Sequence, residues 1–250
     1  ASQMGAEVSL LSTVGNDQLG DRALNKILNT KIEAMVTRSE LPTGVTEVSS
    51  DGSFTIARGK AWENISVPIS SGRDLQLLYF GSLAQVSKEN RSSLKTLLDR
   101  NPKYVLVDLN LRANCYTKQT IEDCLYYATM LKVNEKEWNV VSEITGINEP
   151  ELLMRRKRLK AMAITRGKNG ATLYSAAGDI EFKPSSIELV DQTGAGDAFS
   201  AVLAVGILVN AHPAQALAAS CQAGAIVASK KGALVDLPKD ILEAYEEELS

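Results

Sequence analysis

The sequence of 250 residues predicts an α/β fold with three layers, in which helices cover both faces of a mostly parallel β-sheet. Apolar runs of strand length alternate with amphipathic helical segments along most of the chain, which is the pattern of such a sheet. With 44% hydrophobic residues, a chain of this length can bury one principal core. A segment at 32–65 departs from the pattern and predicts a small β-sheet outside that core.

The first half of the chain contains two predicted strands and two predicted helices. It opens with what resembles a last helical turn closed by Gly5, and a strand follows at 7–14, so we expect a first strand upstream of this sequence. A helix is predicted at 21–28, because its leucine and isoleucine side chains fall on one face. A short strand at 77–80 precedes a helix that Ser87 would cap.

The second half repeats strand and helix in close succession. The predicted elements are strands at 104–110, 130–133, 161–165 and 171–175, helices at 118–129 and 135–144, and a strand ending at Val190 that leads into a helix. Asn169 and Gly170 suit a type I′ turn between two of these strands. Two final helices begin at Pro213 and Pro238.

The segment at 32–65 is predicted to project from a core made of 1–31 and 66–250. Short alternating runs within it are joined at Asp51 and Gly52, which favour a hairpin turn. A decorated loop and a lid over a binding site explain these residues equally well. A lid would serve an enzyme that must keep water away from a reactive phosphoryl group.

Charge and composition favour a small molecule as the partner. The net charge of -3 and the pI of about 5.4 provide no general attraction to nucleic acid or to an anionic membrane. The longest apolar run is far shorter than a membrane span. Cys115, Cys124 and Cys221 lie in apolar settings, which is typical of structural thiols in a reducing cytoplasm, where we expect the protein to act.

The most informative stretch is IELVDQTGAGDAFSAVLAVG at 187–206, where an apolar run enters a glycine loop and a helix follows. It matches neither standard phosphate loop. The Gly-Lys pairs at Gly59 and Gly167 lack the Walker spacing or its final hydroxyl, and Phe199 replaces the last glycine of the dinucleotide-binding motif.

A loop of Gly194, Ala195 and Gly196 would direct backbone N–H groups and the positive end of a helix dipole toward an anion. Asp197 follows directly. A carboxylate beside phosphate is useful as the base that accepts the proton of an attacking hydroxyl, while the N–H groups stabilise the transferring phosphoryl group. The alternative is that Asp197 only complements the helix dipole.

This glycine-loop stretch closely resembles the DTxGAGDAF segment of the ribokinase-like, or PfkB, carbohydrate kinases. Further motifs follow in that family's order across practically the whole sequence: VGNDQLGDRAL from Val14, TGVTEV from Thr43, DLNLR, LKVNEKEW and AITRGKNGA. The resemblance implies a ribokinase-like fold with ATP and Mg²⁺ as cofactors, a sugar substrate and a homodimer formed through the lid. It also implies K⁺ as a further cofactor, bound by carbonyls near Asp191.

The resemblance assigns roles to the matching residues. Asp108 and Asn110 would line the sugar cleft and Arg112 would neutralise the transferred phosphate, although polar residues at a strand end can be simply solvated. Asn134 and Glu137 would lie near the ATP phosphates, with Glu137 reaching the hydrated Mg²⁺ through water. The same pair also forms a near capping box that needs no ligand.

Three further residues would contact the nucleotide by the same resemblance. Thr165 and Gly167 would touch it directly, and Gly232 would border the adenine pocket. Asp197 would contact the reacting hydroxyl of the sugar.

The predicted function is therefore that of an ATP-dependent sugar kinase with Asp197 as the base. Fructose is the first prediction because of the lid sequence and the run DLNLRANCYTK. In the lid, AWENI from Ala61 resembles an element of fructokinase-like members, although Glu63 replaces the usual aspartate. The alternatives are 2-keto-3-deoxygluconate and ribose. A non-catalytic sugar- or nucleotide-binding regulator on the same fold stays open, and an oxidoreductase is disfavoured by the incomplete dinucleotide motif.

Overall fold

The computed structural model describes residues 1–48, 54–67 and 74–245. The predicted hairpin turn at Asp51 and Gly52 lies outside these residues. The chain divides into two units, which we call the C-terminal unit (residues 1–6, 104–108 and 128–250) and the N-terminal unit (residues 7–103 and 109–127).

Strands and helices alternate along the chain, which confirms the predicted α/β class. The strands are β1 (Ser9–Gly15), β2 (Glu33–Ser39), β3 (Thr46–Val48), β4 (Phe54–Ile56), β5 (Leu77–Phe80), β6 (Tyr104–Asp108), β7 (Met130–Asn134), β8 (Ala161–Thr165), β9 (Ala171–Ser175) and β10 (Gly178–Phe182). The helices are α1 (Gln18–Leu28), α2 (Lys88–Leu98), α3 (Lys118–Tyr127), α4 (Glu135–Thr145), α5 (Pro150–Lys157), α6 (Ala195–Leu208), α7 (Pro213–Ala228) and α8 (Lys239–Leu242).

The C-terminal unit is built on strands in the order β10, β9, β8, β7 and β6. The strands β6, β7 and β8 are parallel, and β9 and β10 continue the sheet as antiparallel neighbours. Val133 and Met162 are fully buried, as expected for strands covered on both faces. Helices α6 and α7 pack closely where Gly206 meets Ala216, since a Cβ at Gly206 would lie 3.0 Å from the Ala216 methyl.

In this unit one predicted strand is wrong and one helix was not predicted. The run that ends at Val190 is not a strand: Leu189 and Val190 are exposed, and the N–H groups of Val190 and Asp191 donate to the Ala228 carbonyl at the end of α7. These hydrogen bonds hold the segment against a helix terminus, so no strand ladder forms. Helix α5 was not predicted from the sequence.

The hairpin between β8 and β9 is present, but its turn is not type I′. Gly167–Asn169 form a 3-10 turn, and the positive φ angles are those of Gly167 (54°) and Gly170 (82°). The N–H of Arg166 donates to the Gly170 carbonyl at 2.7 Å, which closes a longer connection than a two-residue turn.

The N-terminal unit contains two small sheets. Strands β1 and β2 are parallel and are joined by α1, whereas β3 and β4 pair antiparallel, with Thr46 opposite Ile56. Strands β2, β3 and β4 all fall inside the predicted lid segment at 32–65. The boundary between lid and core stays a prediction.

Helix α2 begins where the sequence predicts. Ser87 caps it, because the Ser87 hydroxyl accepts the Asn90 N–H at 2.9 Å.

All three cysteines are buried free thiols, in agreement with their predicted structural role. Burial raises the pKa of Cys124 and of Cys221 to about 12, so neither thiol ionises near neutral pH. Within the described residues, the helices lack the length and apolar character needed to cross a bilayer.

Candidate active site

The glycine loop forms the N-terminus of α6. Gly194 is the N-cap residue with φ of 83°, and no side chain in the described part of the chain caps this end. A Cβ at Gly194 would lie 2.8 Å from the Ala233 methyl and 2.9 Å from its Cα. Glycine at 194 therefore provides both the left-handed backbone and the space for the loop that carries Ala233.

The first turn of α6 presents Gly196 and Asp197 to solvent. The Ala195 N–H is engaged by the Gln192 carbonyl at 3.2 Å. The positive end of the helix dipole and the uncapped N–H groups are therefore directed toward any ligand that lies beside Asp197. This arrangement suits an anion, as the sequence predicts.

A buried ion pair lies beside this turn. The Lys132 Nζ donates to Asp108 Oδ1 at 3.0 Å, and the two side chains are 7% and 1% exposed. Asp108 Oδ2 accepts the Ser200 hydroxyl at 2.8 Å. The Lys132 Nζ also lies only 3.2 Å from where a Cβ of Gly196 would be.

Lys132 and Ser200 were not among the predicted site residues. One signal in the sequence could have identified the lysine, because it interrupts the apolar strand β7 two residues before Asn134. Alternate residues of a strand face the same side, so Lys132 shares its face with that predicted nucleotide residue. No comparable signal identifies the serine.

The predicted capping box at the start of α4 is confirmed. The Asn134 side chain accepts the Glu137 N–H at 3.0 Å, and Glu137 Oε2 accepts the Asn134 N–H at 2.9 Å. Thr165 is the register partner of Asn134 on the neighbouring strand β8. The structure thus brings these three predicted nucleotide residues together, and Gly167 follows in the exposed 3-10 turn.

The loop around Gly232 is fixed by Asp191. Asp191 Oδ2 accepts the Gly232 N–H at 3.0 Å, and Oδ1 accepts the Thr193 N–H at 2.9 Å. The hydrogen bonds from Thr193 and then from Gly232 lower the pKa of the Asp191 carboxyl below its usual value. Through Asp191 and the Ala233 contact, Gly232 is tied to the glycine loop.

Asn110 and Arg112 belong to the N-terminal unit. Asn110 has φ of 45°, so the alternation predicted from Asp108 to Arg112 is broken at this residue. The Arg112 Nη1 contacts the Leu111 carbonyl at 3.4 Å. A left-handed asparagine turns the chain as it leaves β6, which a strand pattern alone does not predict.

Residues 1–240 match the sequence profile of the pfkB family carbohydrate kinases. The chain belongs to this family. This membership confirms the predicted family and the predicted class of enzyme, a sugar kinase.

Relatives of this pfkB kinase differ in their named substrates. The fructokinase of Klebsiella pneumoniae is 26% identical, over 97% of this chain and 87% of that protein. Aminoimidazole riboside kinase from Salmonella enterica, solved with aminoimidazole riboside and an ATP analogue, is 24% identical to this chain. The alignment covers 100% of this chain and 88% of the Salmonella chain, with a TM-score of 0.80. A fructokinase double mutant from Vibrio cholerae O395, solved with fructose, ADP and potassium, is 21% identical to this chain. The alignment covers 98% of this chain and 86% of the Vibrio chain, with a TM-score of 0.83. These structures confirm the predicted ribokinase-like fold.

The donor atoms of this pfkB kinase suit a metal that arrives with a nucleotide. Among residues 1–48, 54–67 and 74–245, no cluster of three histidine, cysteine, aspartate or glutamate side chains could hold a metal ion. Mg²⁺ in such enzymes takes most of its oxygen ligands from phosphates and water, with one or two carboxylates. The buried Glu137 carboxylate beside Asn134 fits this limited role.

Proposed function

We propose that this protein transfers the γ-phosphoryl group of ATP to a sugar hydroxyl, with Asp197 as the general base. One observation carries the proposal: an exposed carboxylate stands on the first turn of a helix whose uncapped, glycine-led N-terminus suits a phosphate. Family membership supports the same reaction.

Asp197 accepts the proton of the sugar hydroxyl as its oxygen attacks the γ-phosphorus. The N–H groups of the loop from Gly194 to Gly196 stabilise the charge that spreads over the transferring group. Arg112 neutralises the phosphate once it has been transferred, and Asn110 and Asp108 contact the sugar. The roles of these residues are inferred from their match to the family's motifs.

The nucleotide lies along the ends of β7 and β8. Asn134 and Thr165 are register partners there, Gly167 follows β8, and Gly232 lies in the loop after α7. Mg²⁺ neutralises the triphosphate and is held through water by Glu137. Carbonyls near Asp191 are proposed to bind K⁺, and the potassium in the Vibrio cholerae structure supports this assignment.

Fructose is the proposed sugar. The names of the Klebsiella and Vibrio relatives support it, and aminoimidazole riboside is the substrate class named for the Salmonella relative. Ribose and 2-keto-3-deoxygluconate are the next candidates. We further propose that the protein acts in the cytoplasm as a homodimer joined through the lid at 32–65.

The testing experiment measures ADP release from MgATP with a panel of sugars. Asp197→Asn should retain nucleotide binding while turnover falls by about 10²-fold or more, because the base is lost. Asp240→Asn is the matched control, since Asp240 is also an exposed aspartate on the first turn of a helix. It should keep full activity.

Sugar-dependent ADP release that is lost only in the Asp197 variant supports both the reaction and the base. The sugar with the highest kcat/KM then identifies the substrate. Sugar binding without ADP release would overturn the proposal in favour of a binding regulator on the same fold.

A further inference from the structure

The ion pair of Lys132 and Asp108 occupies a position where ligands of open α/β sheets collect. The two residues are register partners, with Asp108 at the end of β6 and Lys132 two residues before the end of the parallel strand β7. Both side chains are more than nine-tenths buried. Burying two charges is unfavourable unless their geometry is good or their charge has a use, so the pair calls for a functional explanation.

Asp108 is fixed on both of its oxygens. Oδ1 accepts from Lys132 at 3.0 Å, and Oδ2 accepts from Ser200 at 2.8 Å. Ser200 stands four residues after Gly196 on α6, and residues with this spacing lie on the same face of a helix. The carboxylate therefore ties the lysine to the first turns of α6.

The lysine ammonium has hydrogen-bonding capacity beyond this pair. It carries three N–H donors. Among residues 1–48, 54–67 and 74–245, it donates one described hydrogen bond, to Asp108. Its Nζ lies 3.2 Å from the position of a Gly196 Cβ, against the same turn that presents Asp197. A Cβ at 196 would require the ammonium to shift by a few tenths of an ångström.

Local electrostatics favour an anion at this point. Asp108 balances the charge of Lys132, and the N-terminus of α6 has no side-chain cap in the described part of the chain. The N–H groups and the dipole of this helix end favour an anion. Lys132 and Asn134 also share one face of β7. The ammonium is thus adjacent to the glycine loop, on a residue that shares a strand face with Asn134.

We propose that Lys132 is a catalytic residue whose ammonium contacts the transferring phosphoryl group, and that Asp108 and Ser200 position it. This inference rests on the proposed function. When the sugar oxygen bonds to the γ-phosphorus, the bond from phosphorus to the ADP oxygen breaks and Asp197 takes the hydroxyl proton. Lys132 keeps its protons throughout and stabilises the negative charge on the phosphoryl oxygens.

The test uses the full chain with the double substitution Lys132→Met and Asp108→Leu. Removing both charges leaves no unpaired ion in the interior, and such replacements are often tolerated by the fold. Lys95→Met, at an exposed lysine of α2, is the control for the loss of one lysine. We measure kcat, both KM values, and the dissociation constants of ATP and ADP.

We expect kcat of the double variant to fall by about 10²-fold or more, as for other groups that stabilise transition-state charge. ATP affinity should fall by about 10-fold while ADP affinity changes by less than about twofold, because ADP lacks the γ-phosphoryl group. Because Asp108 is also proposed to contact the sugar, the nucleotide affinities decide the test. ATP and ADP affinities that change by the same factor would overturn the inference.

Ser200→Ala is the second variant, because it leaves both charges in place. It should lower kcat by about 10-fold with little change in either KM, as expected for a positioning residue. Full activity in this variant would overturn the positioning role even if the double variant does not fold.

If the unaltered protein releases no ADP with any sugar, the proposed function fails. The comparison of ATP and ADP affinities then still decides whether Lys132 contacts the γ-phosphoryl group.

Discussion

At the scale of single residues, the two glycines around Ala195 leave room for different neighbours. Gly194 has φ of 83° and lies against the Cα and Cβ atoms of Ala233. Gly196 instead faces the end of the Lys132 side chain, which can move by a few tenths of an ångström. Backbone shape and packing thus require the first glycine, whereas the second lets the Lys132 ammonium approach closely.

Gly194→Ala should destabilise the protein by about 2 to 4 kcal/mol, because it adds the strain of a left-handed alanine to a close contact with Ala233. The free energy of unfolding from urea titration measures this loss. Gly146→Ala is the matched control, since Gly146 has φ of 67° and nothing within 4 Å of its Cβ position. It should cost only about 1 to 2 kcal/mol. Equal losses in the two variants would show that the Ala233 contact has no energetic cost.

At the scale of elements, the start of α1 is held by one carboxylate. Asp17 accepts the N–H of Gly20 and the N–H of Thr43, both at 2.8 Å, and the Thr43 hydroxyl at 2.6 Å. The hydrogen bonds from Thr43 and then from Gly20 lower the pKa of Asp17 from 3.8 to about 2. The helix N-terminus is thereby fastened to the chain that follows β2.

This pKa predicts how the contribution of the cap depends on pH. Because the folded pKa is below the unfolded one, Asp17 stabilises the fold above pH 3.8, and this stabilisation is lost as pH falls toward about 2. Asp17→Asn should therefore differ most from the unaltered protein near neutral pH and least at pH 2. Urea unfolding at several pH values measures the difference.

Ser87→Ala provides the control for the Asp17 experiment. Ser87 caps α2 in the same unit and does not titrate, so its loss should cost about 1 kcal/mol at every pH. A pH-independent effect of Asp17→Asn would contradict the assigned pKa.

Local chemistry explains which elements could be predicted from the sequence. The caps at Ser87 and Asn134 depend on residues three positions apart, and the glycine loop lies within one short motif, so all of them were predicted correctly. The segment ending at Val190 was mistaken for a strand, because its position depends on the distant Ala228 carbonyl. The contact of Lys132 with Asp108 depends on which strands are neighbours, and a single strand pattern does not contain that information.

At the scale of the whole molecule, the proposed nucleotide ligands Asn134, Glu137, Thr165, Gly167 and Gly232 all lie in the C-terminal unit. The motifs VGNDQLGDRAL and TGVTEV, together with Asn110 and Arg112, lie in the N-terminal unit. Nucleotide binding should therefore be detected in the C-terminal unit.

Nucleotide binding should raise the free energy of unfolding by an amount that depends on the nucleotide concentration relative to its dissociation constant. MgATP at about 100 times its dissociation constant adds about 2.7 kcal/mol to the free energy of unfolding, which raises Tm by about 5 to 10 °C. Hydrogen exchange should show new protection in β7, β8 and the Gly232 loop. Adenosine with inorganic sulfate replaces MgATP as the control. A nucleotide that leaves both Tm and these amides unchanged would contradict the proposed site.

The buried cysteines give each unit its own reporter of opening. Cys221 lies in the C-terminal unit, whereas Cys115 and Cys124 lie in the N-terminal unit. A buried thiol reacts with a soluble disulfide reagent only when the surrounding structure opens, so the labelling rate of each cysteine measures how often its own unit opens. The natural chain thus permits the local stability of its two units to be followed separately, without introducing any probe.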